Sequence, residues 1–372
     1  CVCLIFLLKM VIEIEKAVKT LKSGGIIIYP SDTIWAIGCD ATNQNTINQI
    51  YKIKNRSKSN PFICLMSDYE MINKYCYISC RYLPPFFEHK YRIVYSKVET
   101  VKDRGKIQHP VVRAAIEFLN INRGLEIHHD GDLPARTGLG SSSSFTVGML
   151  HALYALSGVM PTKSRLALEA INLERNILKE NVGSQDQISA SLGGFNRIDF
   201  DSGNENAFRE TPIMIGSDRK QELQSHLMLF FTGISRYASD VAKKKIENIP
   251  NKTKQLTTMY HMVEEAISIL NSGGSITEFG KLLHESWMLK RGLSDGITTN
   301  YIDEIYDVAR KEGALGGKLL GAGGGGFMLF FAPPQNHAAI ENKLQDLLRV
   351  PFEFENQGSQ IVMFQPDMAG SS

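Results

Sequence analysis

The chain has 372 residues, 43% hydrophobic and 22% charged, an ordinary globular composition that excludes disordered, collagenous and disulfide-scaffold polypeptides. Its 41 basic and 39 acidic residues leave a formal charge of +2, with no basic field of the kind that nucleic acid requires, so a small molecule is the expected partner. No stretch approaches the roughly 20 apolar residues of a membrane-spanning helix.

The apolar run at residues 1–8 has no basic residues before it and no small-residue cleavage pattern after it, so it fails as a signal peptide. It reads as an extension before a start at Met10 or as a buried first strand. All six cysteines (Cys1, Cys3, Cys39, Cys64, Cys76, Cys80) precede Arg81, a split that implies two pieces of different origin. No C-x-x-C pair occurs and no histidine precedes His89, so reduced thiols and a cytoplasmic location are expected rather than zinc.

Residues 12–22 carry Ile14, Val18 and Leu21 at helical spacing, and Ser23-Gly24-Gly25 stops the helix before the β-branched run 26–28. A loop at 29–33, a second helix at 45–54 and a strand at 62–66 follow. The segments YPSDTIWAIGCDATN and KIKNRSKSNPFICLMSD resemble the opening of the YrdC-like threonylcarbamoyl-AMP synthase family. That resemblance implies an anion-binding K-x-R signature at Lys54 and Arg56, with Lys58 and Asn60-Pro61 fitting the segment after it. Ser31 stands where threonine is common and Ala36 where glycine is common, and the likeness stops between residues 69 and 79. The family's later S-x-N signature is absent, which leaves a solvated basic turn as the plainer reading of the charges.

Beyond Cys80, residues 91–98 alternate like a strand, 110–119 have helical periodicity and 125–129 are again strand-like. His128 and His129 are adjacent in that strand, face opposite sides and cannot form one chelate. Then comes Asp132-Leu133-Pro134-Ala135-Arg136-Thr137-Gly138-Leu139-Gly140-Ser141-Ser142-Ser143-Ser144, followed by an apolar run from 145 to 156. A strand, a glycine-serine loop and a helix leave backbone N–H groups free at a helix N-terminus, where the dipole adds roughly +0.5 charge and anions bind. A capping serine would explain one of these residues, but not four serines and two glycines. With no Gly-Lys-Ser or Gly-Lys-Thr, this is not a Walker A loop.

Pro134 through Ser142 resembles the second motif of the GHMP kinases, the superfamily of galactokinase, homoserine kinase, mevalonate kinase and phosphomevalonate kinase. Lys318 through Phe327, with four consecutive glycines from Gly323, resembles the third. The pair in this order implies ATP held by Pro134, Gly138, Leu139, Gly140, Ser141, Ser142, Ser143, Gly323, Gly324 and Gly325. It also implies Mg²⁺ on Ser142 and an acidic residue, and an aspartate base shortly after that residue.

Residues 162–180 form a helical stripe through Leu166, Ala170, Leu173 and Ile177, with Glu174 at the edge of its buried face. A carboxylate there is costly without a partner, and Mg²⁺ or a basic side chain would supply one. Glu180 lies near the same stripe; the family pattern favours Glu174. Asp186 matches the base position, where it would accept a proton from a substrate hydroxyl. It also reads as an N-cap for 187–191.

Strands at 227–232 and 327–332, and helices at 252–271, 276–290, 301–312 and 337–349, complete an α+β picture in which Trp287 belongs to the core. The fold expected is a two-domain GHMP-kinase-like architecture with a truncated front, preceded by a partial YrdC-like α/β segment. Its expected parts are an extension at 1–9, a YrdC-like fragment at 10–79, an ATP-loop domain at 80–215 and a C-terminal domain at 216–372.

GDLPARTGLGSSSSF, LKENVGSQDQ, GGFNRI, FTGISR and GGKLLGAGGGGF together look most like sugar kinases acting on D-glycero-D-manno-heptose 7-phosphate. That likeness implies ATP-dependent phosphorylation of the anomeric hydroxyl. The glycine-rich sugar-binding segment with which such kinases begin is absent, and the YrdC-like fragment stands in its place. The alternatives are a threonylcarbamoyl-AMP synthase-like enzyme and an inactive fusion of two fragments.

Overall fold

A computed structural model describes residues 16–30, 35–39, 43–54, 75–132, 138–201, 207–234 and 248–365. The chain divides into two units, Cys1–Met71 and Ile72–Ser372. In the first, residues 16–22 are helical, and Gly24 takes a φ of 75° that favours glycine as the chain turns. β1 (Ile26–Pro30) pairs antiparallel with β2 (Trp35–Cys39), Ile28 opposite Ile37. α1 (Gln44–Ile53) begins at Asn43, whose side chain accepts from the N–H groups of Asn45 and Thr46 at 3.1 and 3.3 Å. Lys54 is exposed at its end; Arg56, Lys58 and the strand expected at 62–66 lie outside the described residues.

The second unit opens with a four-stranded sheet of order β3 (Cys76–Tyr82), β6 (Leu125–Gly131), β4 (Tyr91–Val94), β5 (Val98–Val101). β3 runs antiparallel to β6, and β6 parallel to β4. The break expected at residues 79 and 80 therefore lies inside β3, a strand of this sheet. The stretch expected as one strand at 91–98 is a hairpin, because Tyr95 donates its N–H to Lys97 O at 2.8 Å and turns the chain between β4 and β5. The crossover from β5 to β6 carries α2 (Pro110–Phe118), with proline at its first position, where no amide is needed.

One face of this sheet buries Tyr91, Ile93, Leu125 and Ile127 against α2 and α3 (Ser141–Leu156). α3 is apolar on most sides because it is wedged between the sheet and two further helices, α4 (Lys163–Asn172) and α5 (Gln185–Leu192). The expected helix at 162–180 stops being α-helical after Asn172. Leu178 donates its N–H to Leu173 O at 2.9 Å, a bond five residues long that makes Leu173–Ile177 a π turn.

After the hairpin β7 (Asn196–Phe200) and β8 (Phe208–Pro212) comes α6 (Ser217–Ser225), then β9 (Leu227–Phe231), α7 (Thr253–Asn271), α8 (Thr277–Arg291) and α9 (Asn300–Lys311). β10 (Gly316–Leu319), β11 (Phe327–Phe331), α10 (His337–Lys343) and β12 (Leu348–Arg349) end the fold. The second sheet has the order β10, β11, β9, β12, all antiparallel, and packs Met228, Phe230, Met328 and Phe330 onto Trp287, Ile302 and Tyr306. The helix expected to reach 349 stops at Lys343, since Leu348 and Arg349 pair with Phe231 and Phe230 of β9.

α8 crosses β10 glycine on glycine. A Cβ at Gly316 would run into the Gly280 carbonyl oxygen and stand 2.8 Å from His284 N. Gly316→Ala should therefore cost about 1–3 kcal/mol of stability, read as a lower denaturant midpoint with unchanged slope. A midpoint equal to that of the parent would contradict this packing.

Candidate active site

α3 starts at Ser141 with Gly140 before it at a φ of 69°. The N–H groups of the first turn have no intrahelical acceptor, and they collect positive potential at the loop. Gly138 also has positive φ, 84°, and a Cβ there would stand 2.8 Å from Leu320 O. The reverse holds as well: a Cβ at Gly321 would stand 2.6 Å from Gly138 Cα. The two glycine loops foreseen in the sequence thus meet backbone to backbone.

The second loop is fixed from three sides. The Lys290 ammonium donates to the carbonyl oxygens of Leu319 and Gly321, each at 2.9 Å. Thr232 clasps Gly326, its N–H donating to Gly326 O at 2.9 Å and its hydroxyl accepting from Gly326 N at 3.1 Å. Gly324 N donates to Ile297 O at 3.0 Å. Gly323 and Gly325 are glycines for a local reason, since a Cβ would fall 2.6 Å from Ile297 Cα and 2.6 Å from Ile234 Cγ2 respectively. Thr232 lies in the FTGISR segment singled out in the sequence, but its grip on Gly326 was not foreseen there, and Lys290 belongs to no motif singled out.

Glu174 occupies the π turn and has no exposed surface. Its Oε2 accepts from the Ser143 hydroxyl at 3.0 Å and from the Gln187 amide, while Oε1 has no hydrogen-bond partner. Burial pushes its carboxyl pKa upward; the neighbouring polar groups of Thr146, Gln187 and Ser143 oppose that shift, and the Asp186 charge adds to it. Glu180 is raised as well, by burial and then by Glu174.

Asp186 lies in the first turn of α5 and not at the cap, which is Ser184. It stands against the phosphate-type loop: a Cβ at Gly140 would come within 3.1 Å of its Cγ. Asp186 keeps accessible surface, yet the recess around it is crowded, and desolvation raises its pKa.

The structure thus brings Gly138, Leu139, Gly140, Ser141, Ser142, Ser143, Glu174, Asp186 and the loop of Gly323, Gly324 and Gly325 into one unit. Ser143 is the serine within reach of Glu174; Ser142 is exposed and offers its carbonyl to Thr146. Pro134 lies outside the described residues. An orphaned, buried Glu174 oxygen beside a serine and a free helix N-terminus is a donor set that fits Mg²⁺ and phosphate oxygens.

Comparison with known proteins gives likenesses over both parts of the chain. Residues 109–194 match the GHMP kinases N terminal domain and residues 253–349 the GHMP kinases C terminal family. Residues 19–100 match the YrdC-like family described as Telomere recombination, a match that runs past the unit division and over β3 to β5. The D-glycero-alpha-D-manno-heptose 7-phosphate kinase of Campylobacter jejuni is 30% identical over 224 residues, 60% of this chain and 65% of that protein. The mevalonate kinase of Pyrococcus horikoshii is 28% identical over 229 residues, 60% of this chain and 64% of its own. The chain thus spans less than two thirds of either relative.

Among solved structures, a D-glycero-D-manno-heptose 1-phosphate kinase from Bacteroides thetaiotaomicron superposes with a TM-score of 0.59 at 20% identity, over 76% of this chain and 85% of that one. A mevalonate kinase gives 0.60 at 19%, over 77% and 91%. These likenesses show the fold.

The buried carboxylate carries a pH signature. A raised pKa means that the folded form holds the Glu174 proton more tightly than the unfolded chain does, so no cost arises below the ordinary carboxylate range. The cost accrues as pH rises through that range to the raised value. Without nucleotide or metal, Glu174→Gln should therefore flatten the fall in melting temperature as pH rises above the ordinary carboxylate range. Identical pH profiles for variant and parent would show that Glu174 carries no such cost.

Proposed function

We propose that this chain, which carries both GHMP kinase domains in order, is an ATP-dependent sugar kinase that phosphorylates the anomeric hydroxyl of D-glycero-D-manno-heptose 7-phosphate. The observation that carries the reading is the contact of the two glycine loops with Glu174 and Asp186 beside them. No helix among the described residues is long and apolar enough to cross a membrane, and we place the protein in the cytoplasm with ATP and a sugar phosphate as partners.

In this reading the first-turn amides and hydroxyls of α3 hold the triphosphate, a task suited to a helix start with Gly138 and Gly140 before it. Glu174 and the serines at positions 142 and 143 would hold Mg²⁺, which when bound neutralises phosphate charge. Asp186 accepts the proton of the acceptor hydroxyl as its oxygen bonds to the γ-phosphorus and ADP departs with the bridging oxygen. Desolvation strengthens Asp186 as a base, so the acid limb of the rate profile should lie above the ordinary aspartate value of about 3.9. Lys54 and Arg56 have no part in this chemistry, and replacing both with alanine should leave phosphate transfer unchanged.

The test is a comparison of two variants. Gly140→Val places a branched side chain at positive φ against Asp186 and should abolish Mg-ATP binding in calorimetry. Asp186→Asn should leave Mg-ATP affinity nearly intact while lowering sugar phosphorylation about 100-fold or more, in this chain and in one with a complete kinase front restored. Equal phosphorylation of heptose 7-phosphate by the Asp186→Asn variant and the parent would remove Asp186 as base. A restored protein that never phosphorylates that sugar would remove the substrate.

A further inference from the structure

The segment after β12 crosses the second unit as an extended strap tied at both ends. At its start Val350 N donates to Leu229 O of β9 at 2.8 Å, and Gln224 of α6 donates to Phe352 O at 2.8 Å. Phe354 then packs on Phe195 with ring centroids 5.9 Å apart. From Glu355 to Ser359 the strap grips helices of the other lobe: Gly194 N donates to Glu355 O at 3.0 Å and Ser359 N to Ala190 O at 2.8 Å. The Ser359 hydroxyl lies 2.9 Å from His151 Nδ1 on α3.

The tightest point is a pair of glycines. Gly193 ends α5 at a φ of 66°, and a Cβ there would fall 2.7 Å from Gly358 Cα. Gly358, at a φ of 62°, would itself press a Cβ into Leu192 C and Gly193 N, each at 2.5 Å. Both residues combine positive φ with a close backbone approach, so no L side chain fits either without displacement. Lys163, the first residue of α4, closes the joint. Its ammonium donates to Leu192 O at 3.3 Å, at the negative end of the α5 dipole, and to Gln357 O of the strap.

The place of this joint gives it a role. α5 has eight residues, a rod of about 12 Å with Asp186 in its first turn and the glycine joint at its other end. α3 likewise carries the phosphate-type loop at its start and His151 further along. The strap therefore holds the far end of α5 and the body of α3, two helices whose near ends meet at Gly140 and Asp186.

We infer that Glu355–Ser359, with Gly358 and Lys163 as its grip, is a positioning latch that sets α5, and with it Asp186, against the phosphate-binding loop. The assignment rests on Asp186 as the base proposed above. The grip described for the latch is on α4, on α5 with Gly194 after it, and on His151 of α3, so its loss is expected to separate from loss of nucleotide binding.

The experiment uses the full chain with three substitutions: Gly358→Val, Lys163→Met and, as the conservative control, Lys163→Arg. Amide hydrogen exchange is read over residues 185–192 and, as an internal reference, over β11. Release of the latch should raise exchange at 185–192 by about tenfold or more in the first two variants, with β11 unchanged and Lys163→Arg close to the parent. Mg-ATP affinity by calorimetry should stay within about twofold, while kcat for heptose 7-phosphate falls up to about 100-fold at unchanged KM, the effect of a small displacement of the base. Folded variants whose 185–192 amides exchange as in the parent would overturn the latch. Faster exchange with an unchanged kcat would overturn its positioning role. A parent that transfers no phosphate to the sugar overturns the function proposed above and the positioning role with it, while the exchange comparison still decides whether the strap holds α5.

Discussion

Glu174 is a carboxylate with no exposed surface, and the arrangement around it follows from offsetting that one buried charge. Glu174 sits at the start of the π turn, under the first turn of α3, where Ser143 reaches it. Ser143 and Gln187 then have to be polar, since each donates a hydrogen bond to the carboxylate from a buried position, while the buried Thr146 hydroxyl beside them donates to Ser142 O. Even so, Oε1 is left without a hydrogen-bond partner among the described residues, and the Mg²⁺ proposed above would give it one.

A second constraint acts between the lobes of this unit. Gly138 and Gly321 approach each other so closely that neither position admits a Cβ, and Lys290 and Thr232 fix the loop on one side of that contact. The glycines are thus shared between two duties. Gly140 leaves room for Asp186, whereas Gly323 and Gly325 make room for Ile297 and Ile234 of the protein itself. A glycine-rich loop does not owe every glycine to its ligand.

Much of this was legible in residue order. The glycine-serine loop before an apolar helix announced α3, and periodicity located α2, α7, α8 and α9 within one or two residues at each end. What escaped was set by contacts distant in sequence. The π turn after Asn172 is invisible to a 3.6-residue period, and Glu174, which read as an edge residue, is wholly buried because Ser143 of α3 and Gln187 of α5 cover it. The turn at Tyr95 to Lys97 contains no glycine or proline, so two strands read as one. Ser143 rather than Ser142 faces Glu174, a choice that depends on the rotation of α3 about its axis, which motif spacing alone does not fix. In the strap, Phe352-Glu353-Phe354-Glu355 alternates like a strand, but nothing in that pattern shows that Gly358 meets Gly193, a contact 165 positions away in sequence.

The cysteine distribution shows how a compositional boundary and a structural one can differ. Cys76 and Cys80 cluster in sequence with the earlier cysteines, yet both lie in β3 and pack on the core of the second unit. Burial pushes each thiol up to about 11, so they act there as small apolar side chains and not as nucleophiles or ligands. The opposite face of the same sheet confirms the membership of β3. Burial would raise Glu126 of β6, but hydrogen bonds from His128, Arg81 and Arg92 outweigh it and bring its carboxyl down to about 2. Arg81 comes from β3 and Arg92 from β4, so the carboxylate in the middle strand is covered by arginines from both neighbours rather than by the core. A cross-strand group of this kind fixes β3 in register with β6, since a slip of one residue would turn Arg81 to the apolar face and bring Cys80 out. The strand that sequence composition assigns to the front of the chain is held by the sheet behind it.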